Sequence, residues 1–195
     1  MINYKTLTTT TFAIATLSLT GCVGVNVVPN EQASAFTASV EATQSSFANN
    51  ISVGEVKNFK DIDQHYAETG KVVTDLSAHS FKESLALTLD SAGYLGDNDA
   101  DYVINAHKLY QDAGSIGTAL DGAFALGFGN ADRSMVVRYE VVEKATGDVE
   151  HVAYVDSKGS ASCADNCFLE TVQERTAVER AYNSNFEALI KDLNS

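Results

Sequence analysis

Basic residues are scarce in this chain of 195 residues, which has 13 lysines and arginines against 26 aspartates and glutamates. The formal net charge of −13 opposes binding to the phosphates of nucleic acid and electrostatic docking on anionic lipid. A solvated acidic surface is the simplest explanation of this charge, and a basic protein partner or divalent cations are the alternatives. Nucleic acid is therefore not an expected partner.

The N-terminal segment is apolar, but it lacks an apolar run long enough to span a membrane. Residues 7–19 are apolar or threonine-rich and include no acidic residue. A transmembrane helix needs about 20 predominantly apolar residues, so this segment is too short and too polar to span stably. Because Lys5 precedes it and the small residues Thr20-Gly21 follow it, the segment is typical of a secretory signal peptide.

The signal ends in Leu19-Thr20-Gly21-Cys22. These residues resemble the lipobox of Gram-negative lipoprotein precursors, which is Leu, a small residue, Gly or Ala, and then Cys. The resemblance implies cleavage before Cys22, a diacylglycerol thioether on its sulfur and acylation of the new amino terminus. Several acyl chains anchor a protein firmly, since each buried methylene contributes ~0.8 kcal/mol. The alternative is an ordinary signal peptide with an incidental cysteine.

The residue after the cysteine bears on the destination membrane. It is Val23, whereas an aspartate at this position favours inner-membrane retention in the lipoprotein family. The resemblance therefore implies the periplasmic face of the outer membrane, with the bilayer as a partner through acylated Cys22.

The remaining cysteines, Cys163 and Cys167, lie close together in the sequence. In the oxidising periplasm the pair is most simply a disulfide, and Cα atoms four residues apart on a helical turn lie at a feasible ~6 Å. A redox dithiol and half of a metal site are the alternatives. Thioredoxin-type motifs have two intervening residues rather than three, and no nearby histidine or third cysteine completes a zinc set.

Sequence motifs for catalysis or cofactor binding are missing. Neither a Gly-x-Ser-x-Gly nucleophile elbow nor a phosphate-binding glycine loop can be placed. We therefore predict no cofactor, no metal and no catalytic residue. A hydrolase whose histidine and carboxylates meet only in the fold is the alternative. The candidate histidines are scattered along the chain at His65, His79, His107 and His151.

The hydropathy pattern predicts an α+β fold. Alternation predicts strands at 51–56, 101–111, 133–144 and 149–157, and the Thr146-Gly147-Asp148 turn joins the last two into a hairpin. In the second strand, one face is expected to carry Tyr102, Ile104, Ala106 and Tyr110.

Helical spacing of apolar residues predicts two helices. One begins near a Thr74 or Asp75 cap and ends at Gly93, and Asn166 can cap a long C-terminal helix. The element order favours a two-layer sandwich, in which a mostly antiparallel sheet of about four strands packs two amphipathic helices on one face.

We expect three parts along the chain: a lipoprotein signal peptide at 1–21, a tether at 22–50 and a single periplasmic domain at 51–195. The tether contains Pro29 and is rich in Ala, Ser, Thr and Gln, although Phe36, Val40 and Phe47 could anchor part of it.

The segment at 113–130 is apolar, glycine-rich and lies between two predicted strands. Because glycine weakens both helix and strand, this segment is a candidate for an exposed interaction loop. A short buried helix or a long hairpin is the alternative. The apolar side chains that such a loop would present are Ile116, Leu120, Phe124, Leu126 and Phe128.

Three short patterns connect the domain with a known family. They are Leu89-Asp90-Ser91-Ala92-Gly93-Tyr94, Ala100-Asp101-Tyr102-Val103-Ile104 and Phe186-Glu187-Ala188-Leu189-Ile190. From Ile51 onward the chain resembles small envelope lipoproteins of the YajG type. The resemblance implies a non-enzymatic role and supplies no catalytic residues, and both the 113–130 segment and the cysteine pair fall outside it.

The sequence thus predicts an outer-membrane-anchored lipoprotein that acts as a non-catalytic binding or assembly accessory on an envelope protein partner. Two alternatives remain: a periplasmic hydrolase with a histidine and carboxylate site, and a structural envelope lipoprotein.

Overall fold

The computed structural model describes residues 29–39, 46–59, 75–97, 99–111, 131–162, 164–165 and 170–195. Four strands form one sheet: β1 (Ile51–Lys57), β2 (Tyr102–Gln111), β3 (Ala131–Glu143) and β4 (Val149–Ala161). Their spatial order is β1-β2-β3-β4, with β1 parallel to β2 and the other two pairs antiparallel. The predicted α+β class and four-stranded sheet are confirmed.

Three helices accompany the sheet in the described residues: α1 (Glu31–Ser34), α2 (Ala78–Ser91) and α3 (Glu170–Leu193). Helix α2 begins after Ser77, whose hydroxyl accepts the Ser80 amide at 3.0 Å. Ser77, rather than the expected Thr74 or Asp75, is therefore the cap. At the other end the chain turns away at Gly93, whose φ of 72° is accessible to glycine without strain.

The core lies between the inner face of the sheet and helices α2 and α3. It is continuous, because inward residues of all four strands contact the buried faces of both helices. Large side chains that are fully buried in it include Tyr94, Tyr139, Tyr182, Phe81, Phe186, Ile104 and Met135.

Helix α3 crosses β4 at very short range. A Cβ added to Gly159 would lie 2.1 Å from the carbonyl oxygen of Ala177 and 2.3 Å from the nitrogen of Ala181. The absence of a side chain at Gly159 therefore allows the helix to lie directly on the strand.

The second strand differs from its predicted alternation at one end. The chain alternates regularly up to Lys108, which is buried on the same face as Ile104 and Ala106. A register shift between Lys108 and Tyr110 then turns the chain over, so that Tyr110 is 54% exposed. The prediction that Tyr110 shares the inner face with Ile104 and Ala106 is therefore wrong. Strict alternation fails here because the bulge inserts an unpaired residue into the ladder.

Part of the predicted tether is folded onto the domain. Residues 29–39, which we call the strap, include α1 and run between α2 and α3, and Phe36 and Phe47 pack against the core. Residues 29–39 are therefore hydrogen-bonded to the helices of the domain. Two of the anchors that the sequence offered within the expected tether, Phe36 and Phe47, thus pack against the core.

Candidate functional site

Most of the site residues predicted from sequence fall outside the described residues. This applies to Cys22, to Cys163 and Cys167, and to the candidate interaction loop with Ile116, Leu120, Phe124, Leu126 and Phe128. The structure fixes only where the loop segment leaves and rejoins the sheet, at Gln111 of β2 and Ala131 of β3.

The strap is attached to α2 through hydrogen bonds from side-chain hydroxyls to strap backbone. Ser84 donates to the Glu31 carbonyl at 3.1 Å, and the Thr88 hydroxyl accepts the Phe36 amide at 3.0 Å. Ser91 accepts the Ala38 amide at 3.2 Å. Ser and Thr at these positions of α2 therefore supply the polar partners that an irregular backbone needs when it lies against a helix.

Helix α3 holds the strap from its other side. The side-chain amide of Asn183 donates to the Ala35 carbonyl at 2.6 Å. The backbone amide of Asn30 donates to the Glu179 carboxylate at 2.8 Å. Both helices thus fix the course of the strap.

A shallow groove lies beside the strap on the outer side of α2. Its volume is about 690 Å³, and we call it the acidic groove. One wall is formed by the start of the strap and the other by α2, while Leu95 belongs to the loop that follows α2. Its lining residues are Asn30, Glu31, Gln32, Glu83, Ala86, Leu87, Asp90 and Leu95.

The most enzyme-like cluster is a buried ion pair between Lys108 of β2 and Asp75. The Lys108 ammonium donates to Asp75 at 2.6 Å and to the Gln111 side-chain carbonyl at 2.7 Å, and the Tyr182 hydroxyl donates to the other Asp75 oxygen at 2.7 Å. The ammonium also lies 4.5 Å from the centroid of the Phe59 ring. These groups satisfy one another, so the cluster is arranged to stabilise the core.

Two buried tyrosine hydroxyls resist ionisation. Burial raises the pKa of Tyr182 well above its usual value, and the negative charge of Asp75 raises it further. Burial also raises the pKa of Tyr139, whose hydroxyl donates to the Asn185 side chain at 2.6 Å. Both phenols therefore stay protonated hydrogen-bond donors at neutral pH.

The hydrolase alternative requires a histidine next to a carboxylate in a cleft. His151 Nε2 lies 2.6 Å from Asp192 Oδ2, and the imidazole also meets the edge of Phe47. This pair lies at the junction of β4 and α3, and neither residue lines the acidic groove. The histidine and the carboxylate are therefore in contact, at a place outside the acidic groove.

The other described histidines have local partners. His107 Nε2 accepts the Asn58 amide at 2.7 Å, which fixes the ring against the end of β1. His79 lies on the surface of α2, where it pairs with Glu83 at 3.1 Å.

The face of the sheet opposite the helices carries several exposed apolar and charged side chains. Tyr154 is 66% exposed, Val152 is 41% exposed, and the Arg138 guanidinium lies 5.8 Å from the centroid of the Tyr154 ring. Arg138 also pairs with Glu140 on the same strand.

Near the end of β4, Arg180 holds the chain beyond the strand. Its guanidinium donates to the Asp165 carboxylate and to the Ser160 carbonyl. The hydrogen bond from Arg180 lowers the pKa of Asp165 below its usual value, and the Ser162 amide lowers it further.

Within the described ranges, no three His, Cys, Asp or Glu side chains are arranged to hold a metal ion. A separate finding is that none of the helices described here combines the length and the apolar character needed to cross a bilayer.

Sequence reasoning missed both the strap and the acidic groove. The strap was missed because the residues that bind it are small and polar, so they do not appear in a hydrophobic pattern. The groove was missed because its strap and helix residues are about 50 positions apart in the chain. A usable signal was present in Ser80, Ser84, Thr88 and Ser91, because this row of hydroxyls recurs at helical spacing on α2.

The chain matches no known protein-family model and no curated protein sequence. The solved structures that match the chain include the following three proteins. A DUF330-family protein from Xanthomonas campestris is 10% identical with a TM-score of 0.48, and the match covers 84% of this chain and 90% of that one. A dodecamer of a PelC variant from Paraburkholderia phytofirmans is 14% identical with a TM-score of 0.45, covering 77% and 92%.

The third similar structure is the minor lipoprotein from Acinetobacter baumannii, which is 13% identical with a TM-score of 0.41, covering 76% of this chain and 92% of that one. At such identities and TM-scores these likenesses concern the fold and carry no argument about activity.

Proposed function

We propose that the protein is an outer-membrane-anchored lipoprotein that acts as a non-catalytic binding or assembly accessory in the cell envelope. The sequence Leu19-Thr20-Gly21-Cys22 supports the anchor through its resemblance to a lipobox. The single structural observation that carries the proposal is the docked strap, because it attaches the N-terminal part of the chain firmly to the domain.

The strap determines how far the domain can lie from an acylated Cys22. Pro29, where the described structure begins, lies seven positions after Cys22. A fully extended chain spans at most about 3.6 Å per residue, so the folded unit lies within about 25 Å of the lipid anchor. A free tether ending at residue 50 would allow about four times that distance. The domain would therefore work next to the membrane surface.

The arrangement of the polar side chains supports binding rather than catalysis. Lys108, Asp75 and Tyr182 are buried and bound to one another, and His151 and Asp192 meet away from the groove. Catalytic groups need access to substrate, usually in a concave site. The surface next to the strap instead combines apolar and charged residues, which is common at sites of protein recognition.

The 113–130 segment remains a candidate contact surface within this proposal. It connects the neighbouring strands β2 and β3, and its apolar residues are Ile116, Leu120, Phe124, Leu126 and Phe128. The expected partner is an envelope protein.

Site-specific crosslinking in intact cells tests the binding role. A photoreactive amino acid replaces Phe124, and the matched control position is Val149, which is 50% exposed on β4. We expect a discrete crosslinked envelope protein from position 124 that is absent from position 149. Identical products from both positions, or no product from position 124, would contradict this contact.

A further inference from the structure

We propose that the acidic groove binds a basic amphipathic segment of another protein. In this complex, lysine or arginine side chains of the partner lie against Glu31, Glu83 and Asp90, and an aliphatic side chain lies on Leu87. The inference assigns a partner chemistry to the binding role proposed above, at a surface formed entirely by described residues.

The apolar part of the groove lining is suited to an aliphatic side chain. Leu87 is 42% exposed, which is high for a leucine, and it lies in the groove with Ala86 and Leu95. Covering such side chains removes apolar area from water, which favours association. A partner of the groove therefore needs an apolar side chain as well as positive charge.

The rim of the groove is acidic on both sides. Glu31 stands on the strap, while Glu83 and Asp90 stand on α2. Among the ion pairs of the described residues, none brings a lysine or arginine to these three carboxylates, and Glu83 pairs with His79. A partner that supplies cations would complement the rim, and the excess of acidic residues in the chain would speed its approach.

The spacing of the carboxylates favours a polypeptide over a single ion. Glu83 and Asp90 are seven residues apart on α2, which corresponds to about 10 Å along the helix axis. The three carboxylates do not form a group that could hold a metal ion. Separate contacts at this spacing match basic residues seven apart on a helix, with an aliphatic residue between them.

The test is peptide binding to the protein purified from cells that express the full chain, in a non-ionic detergent. The probe is a fluorescent helical peptide with lysines seven residues apart and leucines between them on the same face. A peptide of the same composition in scrambled order is its control. We expect saturable binding of the first peptide, at least about tenfold tighter than the scrambled one.

Two charge-matched triple variants locate the site. Glu31→Gln, Glu83→Gln and Asp90→Asn remove the rim, whereas Asp148→Asn, Glu150→Gln and Asp156→Asn remove three exposed charges on the β3–β4 hairpin. Because an exposed ion pair changes affinity by about twofold to fivefold, the rim variant should weaken binding about tenfold or more. The hairpin variant should weaken it by less than about twofold. Thermal unfolding checks that both variants fold.

A second pair of variants tests the apolar contact. Leu87→Ser should weaken binding, whereas Val152→Ser on the open sheet face should not. Equal losses in the two triple variants, or no effect of Leu87→Ser, would overturn the proposal in favour of unspecific charge attraction. Saturable binding of calcium that the rim variant abolishes, with no peptide binding, would overturn it in favour of a cation site.

Failure of peptide binding can be distinguished from failure of the lipoprotein proposal. Peptide binding is measured on purified protein and does not depend on acylation of Cys22, so its failure leaves the anchor untouched. Conversely, a protein without acyl chains would retain the groove.

Discussion

At the residue scale, the packing of α3 on the sheet depends on Gly159. We expect Gly159→Ala to lower the free energy of unfolding by about 1–3 kcal/mol, because its Cβ would overlap backbone atoms of Ala177 and Ala181 that cannot rotate away. Denaturant unfolding measures the change. The control is Ser160→Ala on the exposed side of the same strand, for which we expect a change within about 0.5 kcal/mol. Equal midpoints for the two variants would contradict the close crossing.

A second residue-scale prediction concerns the buried pair of Lys108 and Asp75, whose side chains are 6% and 1% exposed. Lys108→Met should lower the free energy of unfolding by about 3–5 kcal/mol, since it leaves a buried carboxylate without its cation. The double variant Lys108→Met, Asp75→Asn removes both charges and should be more stable than Lys108→Met alone. Denaturant unfolding of the singles and the double decides this, and strictly additive losses would show that the two charges are not coupled.

At the scale of elements, the strap is held by a few hydrogen bonds from α2 and α3. Thr88→Val and Asn183→Ala each remove one bond to strap backbone, which contributes about 1 kcal/mol. We expect hydrogen exchange at the Phe36 amide to accelerate about fivefold in each variant. Thr176→Val is the matched control, because the Thr176 hydroxyl bonds to Val172 within α3. Unchanged exchange at Phe36 in both strap variants would mean that these bonds do not hold the strap.

The elements also show how far the sequence predicts this structure. Apolar and polar residues alternate regularly in β3 and β4, so the sequence predicts which of their side chains face the core. Gly93 correctly predicted where the chain leaves α2. The exposure of Tyr110 could not be predicted from alternation, because it depends on a bulge that has no local signature in the sequence.

The candidate site was harder to predict than the fold. The strap has the composition of a tether, because it is rich in Ala, Ser, Thr and Gln and shows no periodic pattern of hydrophobic residues. Its position on the domain depends on hydroxyl groups of a helix about 50 residues further along the chain. The acidic groove exists only where the strap and α2 meet, so no continuous stretch of sequence contains it.

At the scale of the whole molecule, the fold is a two-layer domain whose N-terminal strap lies among the helices. Asn30 and Glu31, at the start of the strap, line the acidic groove, so the groove lies close to Cys22 along the chain. In the proposed lipoprotein, a basic segment that occupies this groove would belong to a protein close to the same membrane.

Metabolic labelling with radioactive palmitate in Gram-negative cells measures whether Cys22 carries the lipid anchor. The full chain is compared with Cys22→Ser and with the control Cys163→Ser, Cys167→Ser. We predict label in the unmodified chain and in the double-serine control, and none in Cys22→Ser. Label retained in Cys22→Ser, or absent from the unmodified chain, would show that Cys22 does not carry the anchor.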